Sequence, residues 1–243
     1  MNRTELEPPP LLPLRAVDAW KRRGARYVWH KALRRGLRRW PSCKRRILYR
    51  NPRLYWTLRG GDDYFREQEG QPARSERAEW LADRIESYRP TSVLEIGCGY
   101  GKQLRAIRQR LPEVPLLGID FSPTQLDYAK GFLDGIDRVS FMLGDGQRVP
   151  LPDNSVDLVM TSAVILHNAP EIADQIRREA IRVARRWVVH NEDTDVTYNR
   201  FGYDSAAWYR ASGIRLAEVC SIPVGSRDEV ARSQFCVAEL GQS

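Results

Sequence analysis

Glu95, Gly97, Gly99 and Gly101 stand at alternate positions at the end of an apolar run that includes Val93, Leu94 and Ile96. Glycines spaced this way let a backbone turn tightly and come closer to a ligand than any Cβ would allow. Asp120 closes a second apolar run, Leu116-Leu117-Gly118-Ile119. Its distance from the first glycine is close to the roughly 20 residues at which a carboxylate meets both hydroxyls of a ribose. A third run, Val139-Ser140-Phe141-Met142, leads into the turn Gly144-Asp145-Gly146. His167 and His190, two of the three histidines, lie after or near the end of further apolar runs, and an imidazole can take the proton of a hydroxyl at neutral pH. Together these residues could bind a nucleoside-bearing cofactor and handle a proton beside it.

The elements that must position them alternate along the chain. Strands are expected at 93–96, 116–120, 139–142, 156–160, 187–191, 214–220 and 234–240. Helices are expected around 77–88, over 102–111, from Ser122-Pro123, over 172–184 and over 205–212. Ser122 suits an N-cap and Pro123 a first helical position, while Pro90 stops the helix before it. Strands alternating with helices predict an α/β fold with a doubly wound, mainly parallel sheet, and ligands of such sheets lie at the carboxyl ends of the strands. The loop reads G-x-G-x-G rather than G-x-G-x-x-G, which disfavours a dinucleotide.

The glycine loop, Asp120, the Asp145 turn and the segment Val149-Pro150-Leu151-Pro152-Asp153-Asn154-Ser155-Val156-Asp157-Leu158-Val159-Met160 come in an order that resembles the motifs of class I S-adenosylmethionine-dependent methyltransferases. The resemblance runs from about Ser75 to the C-terminus and weakens after Ala184. It implies a Rossmann-like sheet of seven strands, the last two in an antiparallel hairpin, with S-adenosylmethionine as cofactor. In the implied site Gly97, Gly99 and Gly101 shape the loop, Glu95 orients the methionine end, Asp120 holds ribose and Asp145 the adenine amino group. Cys98, Phe121, Gly146 and Ser162 complete the implied cofactor-binding set. Acceptors would lie over the fourth and fifth strands, which makes His167 and His190 the candidate catalytic bases.

The implied activity is methyl transfer to a small or membrane-associated acceptor, with a hydroxyl of a sugar or glycoconjugate favoured by the two histidines. Alternatives are an RNA methyltransferase, since Thr161–Asn168 loosely resembles the tRNA wobble-uridine group, C- or N-methylation of a lipophilic ring, and a non-catalytic cofactor-binding module. Glu192 and Asp193 next to His190 offer a weak divalent-metal pattern, for which loop acids are the plainer explanation, so no metal is assigned. Oligomeric state is left open by the sequence.

Charge is distributed unevenly over the 243 residues. Residues 1–60 hold 17 Lys/Arg against three acids, whereas the rest holds 22 against 28, which suggests a basic helical extension at 1–60 and a cofactor-binding domain at 61–243. In the extension Trp29, Leu33, Leu37 and Trp40 recur at helical spacing among arginines and lysines. Three roles suit that pattern: a stripe packed over the site as a lid, a peripheral membrane contact through residues 16–53, or, less favoured, a grip on nucleic-acid phosphates. Tyr55, Trp56, Tyr64 and Phe65 are candidates to meet substrate. Cys43, Cys98, Cys220 and Cys236 have no C-x-x-C spacing, and no apolar run reaches membrane-spanning length. A reduced, cytoplasmic setting is therefore expected, at the inner face of the membrane if the helix docks there.

Overall fold

A computed structural model describes residues 12–241. The first eleven residues of the expected extension lie outside it. The chain divides into two compact units, one up to Arg59 and one from Gly60.

The first unit is helical. It contains α1 (Leu12–Gly36), a 3-10 turn (Leu37–Arg39), α2 (Pro41–Leu48) and α3 (Pro52–Arg59). α1 breaks at Gly24, whose φ of 77° leaves the helical region. The helix expected to run through Trp40 stops at Gly36 instead, and Pro41 starts the next one at a position where proline's missing N–H costs nothing. Tyr55 forms the core of this unit, edge-on to His30 at 5.2 Å, to Tyr49 at 5.1 Å and to Trp56 at 5.2 Å.

The second unit begins with α4 (Asp62–Glu69) and α5 (Pro72–Ser87). It continues through β1 (Val93–Ile96), α6 (Lys102–Arg110), β2 (Leu116–Asp120), α7 (Pro123–Phe132), β3 (Val139–Leu143) and β4 (Val156–Ser162). It ends with α8 (Pro170–Val183), β5 (Ala184–Asp193), α9 (Ser205–Ala211), β6 (Arg215–Cys220), α10 (Arg227–Arg232) and β7 (Ser233–Glu239). The seven strands form one sheet in the order β3-β2-β1-β4-β5-β7-β6. β3, β2, β1, β4 and β5 pair in parallel, and β7 runs antiparallel between β5 and β6. This is the expected doubly wound sheet with its terminal hairpin.

Helices cover both faces, so the central strands are buried on both sides and read as continuous apolar runs. Leu81, Ile85, Leu104, Ile107 and Phe235 pack one face; Ile96, Val159, Ile176, Val188 and Tyr209 pack the other. One strand and one helix depart most from expectation. β5 starts directly after α8 and runs on to Asp193, because pairing with β7 extends as far as Asp193 opposite Ser233. α10, which was not expected, is closed by a capping box between Ser226 and Glu229.

Candidate active site

The glycine loop joins β1 to α6 at the carboxyl edge of the sheet. The Gly97 and Cys98 N–H groups donate to the Ile119 carbonyl at 2.7 and 3.0 Å, which seats the loop on β2. Gly97 has φ +74°, and a Cβ there would lie 2.4 Å from Val164 Cγ2. Gly101 caps α6 in the left-handed region at φ +86°, where a Cβ would meet Leu133 Cδ1 at 2.5 Å. Only glycine fits either place. Cys98 gives the loop its backbone alone. Its buried thiol is turned toward β2, where a Cβ on Gly118 would come within 2.7 Å of the sulfur, and burial pushes the thiol pKa up.

Asp120 ends β2 beside the loop. One carboxylate oxygen accepts the Gly99 N–H at 2.9 Å and the other the Ser122 N–H at 2.8 Å. Each oxygen keeps a lone pair for one further donor, as a vicinal diol requires. Burial raises the Asp120 pKa against the opposing effect of those two N–H groups. Phe121 is half-buried next to it. Beyond β3, Asp145 accepts the Gln147 N–H at 3.2 Å, and Gly146 (φ +70°) lets that turn close on β1, where a Cβ would meet Ile96 Cγ2 at 2.5 Å.

Glu95 is buried within β1, and its Oε2 has no hydrogen-bond partner. Burial, then the Asp120 charge, pushes its pKa well above the usual carboxylate range. The Gln103 Oε1 is likewise buried and unpartnered, although its Nε2 donates to Ser162 Oγ at 3.1 Å. Ser162 also accepts Asn191 Nδ2 at 2.7 Å. Orphaned acceptors of this kind are uncommon inside proteins and suit a ligand that brings its own donors.

α4 covers the loop. Phe65 packs on Tyr100 at 5.0 Å and on Phe132 at 5.5 Å, and Tyr64 on Tyr100 at 6.3 Å. The Gly61 N–H donates to Gln125 Oε1 at 3.3 Å, while Glu69 accepts both Tyr100 OH and Lys102 Nζ at 2.9 Å. Tyr64 and Phe65 thus pack on loop and helix residues, and Tyr55 is core in the first unit.

The two histidines are used differently. His167 lies in the short 3-10 turn Ile165–His167 after β4, and its Nδ1 donates to the Asn199 carbonyl at 2.6 Å. That bond puts the lone pair on Nε2. Burial, with Arg200 nearby, lowers its pKa to about 4, so the imidazole is neutral at physiological pH. His190 is wholly buried in β5: Nδ1 contacts Thr161 Oγ1 at 2.7 Å and Nε2 contacts Tyr209 OH at 2.8 Å. Both nitrogens are engaged and burial pushes its pKa to about 3, so the expectation that His190 is a catalytic base is corrected to a structural role.

The sequence reading also missed the part played by Glu192. It is a buried carboxylate rather than a loop acid, and it accepts the Thr161 hydroxyl at 2.8 Å and the N–H groups of Val164, Ile165 and Leu166. Asp193 pairs with Arg77 and with Arg200, each at 3.0 Å. Both acids are therefore committed, and among the described residues no cluster of three or more potential metal ligands occurs. The available signal was an apolar strand running without a break into His190-Asn191-Glu192-Asp193.

Residues 93–187 match the profile of a methyltransferase domain family. The chain is 34% identical over 110 residues to the methyltransferase GfsG of Streptomyces halstedii, covering 44% of this chain and 38% of that protein. It is 32% identical over 99 residues to ajmaline N-methyltransferase of Rauvolfia serpentina, covering 40% and 33%. Thus the match spans about a third of the length of these curated relatives. The fold is shared with an S-adenosylmethionine-dependent methyltransferase from Aquifex aeolicus, at TM-score 0.56 and 17% identity over 74% of this chain and all of that one. It is also shared with the magnesium protoporphyrin IX methyltransferase of Synechocystis with bound cofactor, at TM-score 0.54 and 18% identity over 87% and 97%. The sheet order is that of the Rossmann-like methyltransferase fold. The domain match over residues 93–187 and the shared fold together support the class I S-adenosylmethionine-dependent methyltransferase family.

The family's cofactor is S-adenosylmethionine, and the residues present fit it. Left-handed glycines that seat the loop closely, a ribose-type carboxylate with free lone pairs and a buried Glu95 oxygen with no partner, suited to an ammonium group, lie at the ends of β1 and β2. Gly97, Gly99 and Gly101 with the Cys98 backbone would hold the methionine end together with Glu95, Asp120 and Phe121 the ribose, and Asp145 and Gly146 the adenine. Ser162 would close the β4 side.

Proposed function

We propose that the protein transfers a methyl group from S-adenosylmethionine to a hydroxyl of a small sugar or glycoconjugate, with His167 taking the proton. The observation that carries this reading is the place of His167, in the turn that follows β4 at the carboxyl edge of the sheet, with its Nδ1 held by the Asn199 carbonyl. The cofactor supplies an electrophilic methyl group on a sulfonium. As the new O–C bond forms and the C–S bond breaks, the hydroxyl proton passes to His167 Nε2. A base of low pKa is a weak proton acceptor before the reaction, so it leaves a neutral hydroxyl undisturbed until the methyl carbon arrives. Asp193, near enough to favour the charged imidazole, offsets part of the cost of the imidazolium. Cys43, Cys98, Cys220 and Cys236 are all free thiols, which supports a reducing, cytoplasmic setting.

The test has two stages. Calorimetric titration with S-adenosylhomocysteine should show micromolar binding, and absence of binding to the full chain would overturn the cofactor reading. Transfer of labelled methyl should then appear on sugar or glycoconjugate hydroxyls and disappear in His167→Ala. Label appearing instead on transfer RNA or on a quinone-like ring would overturn the acceptor class while leaving the cofactor in place.

A further inference from the structure

Within the first unit the apolar stripe of the basic helix points away from that unit's own core. After the break at Gly24, α1 buries Tyr27 and His30, and His30 meets the Tyr55 ring. Trp29 and Leu33, one turn apart on the other face, are open to solvent. The same is true along the unit: Trp20, Trp29 and Trp40 are each 60–69% exposed, and Ile47 and Leu54 are exposed as well.

Six of the nine large apolar side chains exposed among the described residues fall in this unit, so the clustering is not the ordinary scatter of surface hydrophobics. From residue 19 to residue 61 the chain carries 15 Lys/Arg and no Asp or Glu. His30 adds nothing to that charge at neutral pH, because burial, then Arg34 and Arg59, lowers its pKa to about 4.

We propose that this face docks on the surface of an anionic lipid bilayer, with Trp29, Leu33 and Trp40 seated at the headgroup level and the surrounding arginines and lysines on the lipid phosphates. Indole rings settle at that depth because one edge is apolar and the other carries an N–H. Basic side chains near an anionic surface add a favourable electrostatic contribution. No described helix is long and apolar enough to cross a membrane, so the contact is peripheral. Two rival occupants fit less well. Nucleic-acid phosphates would satisfy the charge and indoles could stack on bases, but exposed Leu33, Ile47 and Leu54 have no counterpart on a phosphate backbone. A second copy of this face would oppose cations to cations with no acid between them.

The test is vesicle binding by the full chain, read by co-sedimentation and by quenching of tryptophan emission with brominated lipid. Phosphatidylcholine vesicles containing phosphatidylglycerol should bind the protein, quench its emission and retain part of it at high salt, whereas pure phosphatidylcholine should bind at least tenfold more weakly. The triple variant Trp29→Ser, Leu33→Ser, Trp40→Ser changes only exposed positions and should keep the wild-type melting temperature. It should lose at least tenfold in vesicle affinity. Equal vesicle affinity of variant and wild type would overturn the proposal, as would absence of quenching. Tighter binding to an RNA duplex than to anionic vesicles, unchanged in the triple variant, would assign the face to nucleic acid instead.

Discussion

Both carboxylate oxygens of Glu192 accept the backbone N–H of Val164, at 3.1 and 3.0 Å, across 28 residues of sequence. The same carboxylate takes the N–H groups of Ile165 and Leu166, so one buried side chain sets the whole exit from β4. That exit is strained. Ala163 sits at φ +54°, in the left-handed region, immediately before the three donors. Removing the carboxylate leaves several buried donors unmet, so Glu192→Ala should cost about 3–5 kcal/mol of stability in denaturant unfolding. Glu192→Gln, which keeps one acceptor oxygen, should cost less than half of that. A loss under about 1 kcal/mol in Glu192→Ala would mean that the loop holds itself.

Ala163→Gly tests the strain from the other side. A glycine at φ +54° removes the Cβ penalty of the left-handed conformation but adds entropy to the unfolded chain. The two effects nearly cancel, so the substitution should be within about 0.5 kcal/mol of neutral, unlike an ordinary surface Ala→Gly, which destabilises by about 1 kcal/mol in a helix. A full loss of that size would show that the conformation at 163 carries no strain.

Gly97→Ala should act on the cofactor first. The added methyl would overlap Val164 Cγ2 at 2.4 Å in a residue already at φ +74°. Backbone strain of this kind costs about 1–3 kcal/mol, and relief requires the loop to shift. Affinity for S-adenosylhomocysteine should drop at least tenfold. Adding Val164→Ala should recover the steric part of the loss and leave the backbone part, and absence of any recovery would show that the overlap is not what limits the site.

Asp120→Ala removes the acceptor of the Gly99 N–H as well as the predicted ribose contact. Affinity for S-adenosylhomocysteine should fall by about 100-fold or more, equivalent to roughly 2.7 kcal/mol. The fold should survive, because β2 stays paired on both sides and the Ser122 side chain still accepts the Gln125 N–H, although the Ser122 N–H loses its acceptor. Unchanged affinity by calorimetry would remove Asp120 from the site.

For His167 the measurement is a pH profile. With its pKa lowered to about 4, activity dependent on neutral His167 should stay flat from about pH 8 down to pH 5, and any acid limb should lie near 4 rather than 6.5. His167→Ala should lower kcat by about 100-fold or more with little change in cofactor affinity. An acid limb near 6.5 that vanishes in His167→Ala would show that the imidazole is far less buried in the working enzyme.

Strand order and the cofactor loop were legible because each central strand is an apolar run that ends in a residue with a local job: glycine at Gly97, carboxylate at Asp120, turn at Gly144. The start of α10 is marked in the sequence as well, since Ser226 and Glu229 form the S-x-x-E pattern of a helix start. The role of His190 was not legible. Its burial is supplied by Tyr209 from α9 and by Cys236 opposite it on β7, residues that only the folded sheet brings to it. The stripe of Trp29 and Leu33 could be read from spacing, but its direction depends on Tyr27 and His30 packing inward, where His30 meets Tyr55, and a helical period carries no sign.

The correction at His190 has a consequence for acid stability. Its pKa is about 3 in the fold and near 6.5 in an unfolded chain, so above pH 6.5 neither state binds the proton and the residue contributes no slope. As pH falls below 6.5 the unfolded chain takes up a proton that the folded one refuses, and stability drops by about 1.4 kcal/mol per pH unit until the folded pKa is reached. The buried acids Glu95, Asp120 and Glu192 have raised pKa values and act in the opposite sense, so total stability alone does not isolate the histidine. A variant does. His190→Gln loses part of the Thr161–Tyr209 linkage and starts less stable, but it lacks the titration. Unfolding curves of the two proteins should therefore differ by a constant amount above pH 6.5 and converge by about 1.4 kcal/mol per unit below it. Curves that stay parallel down to pH 5 would show that His190 takes up its proton in the folded state, and would return it to the list of candidate bases.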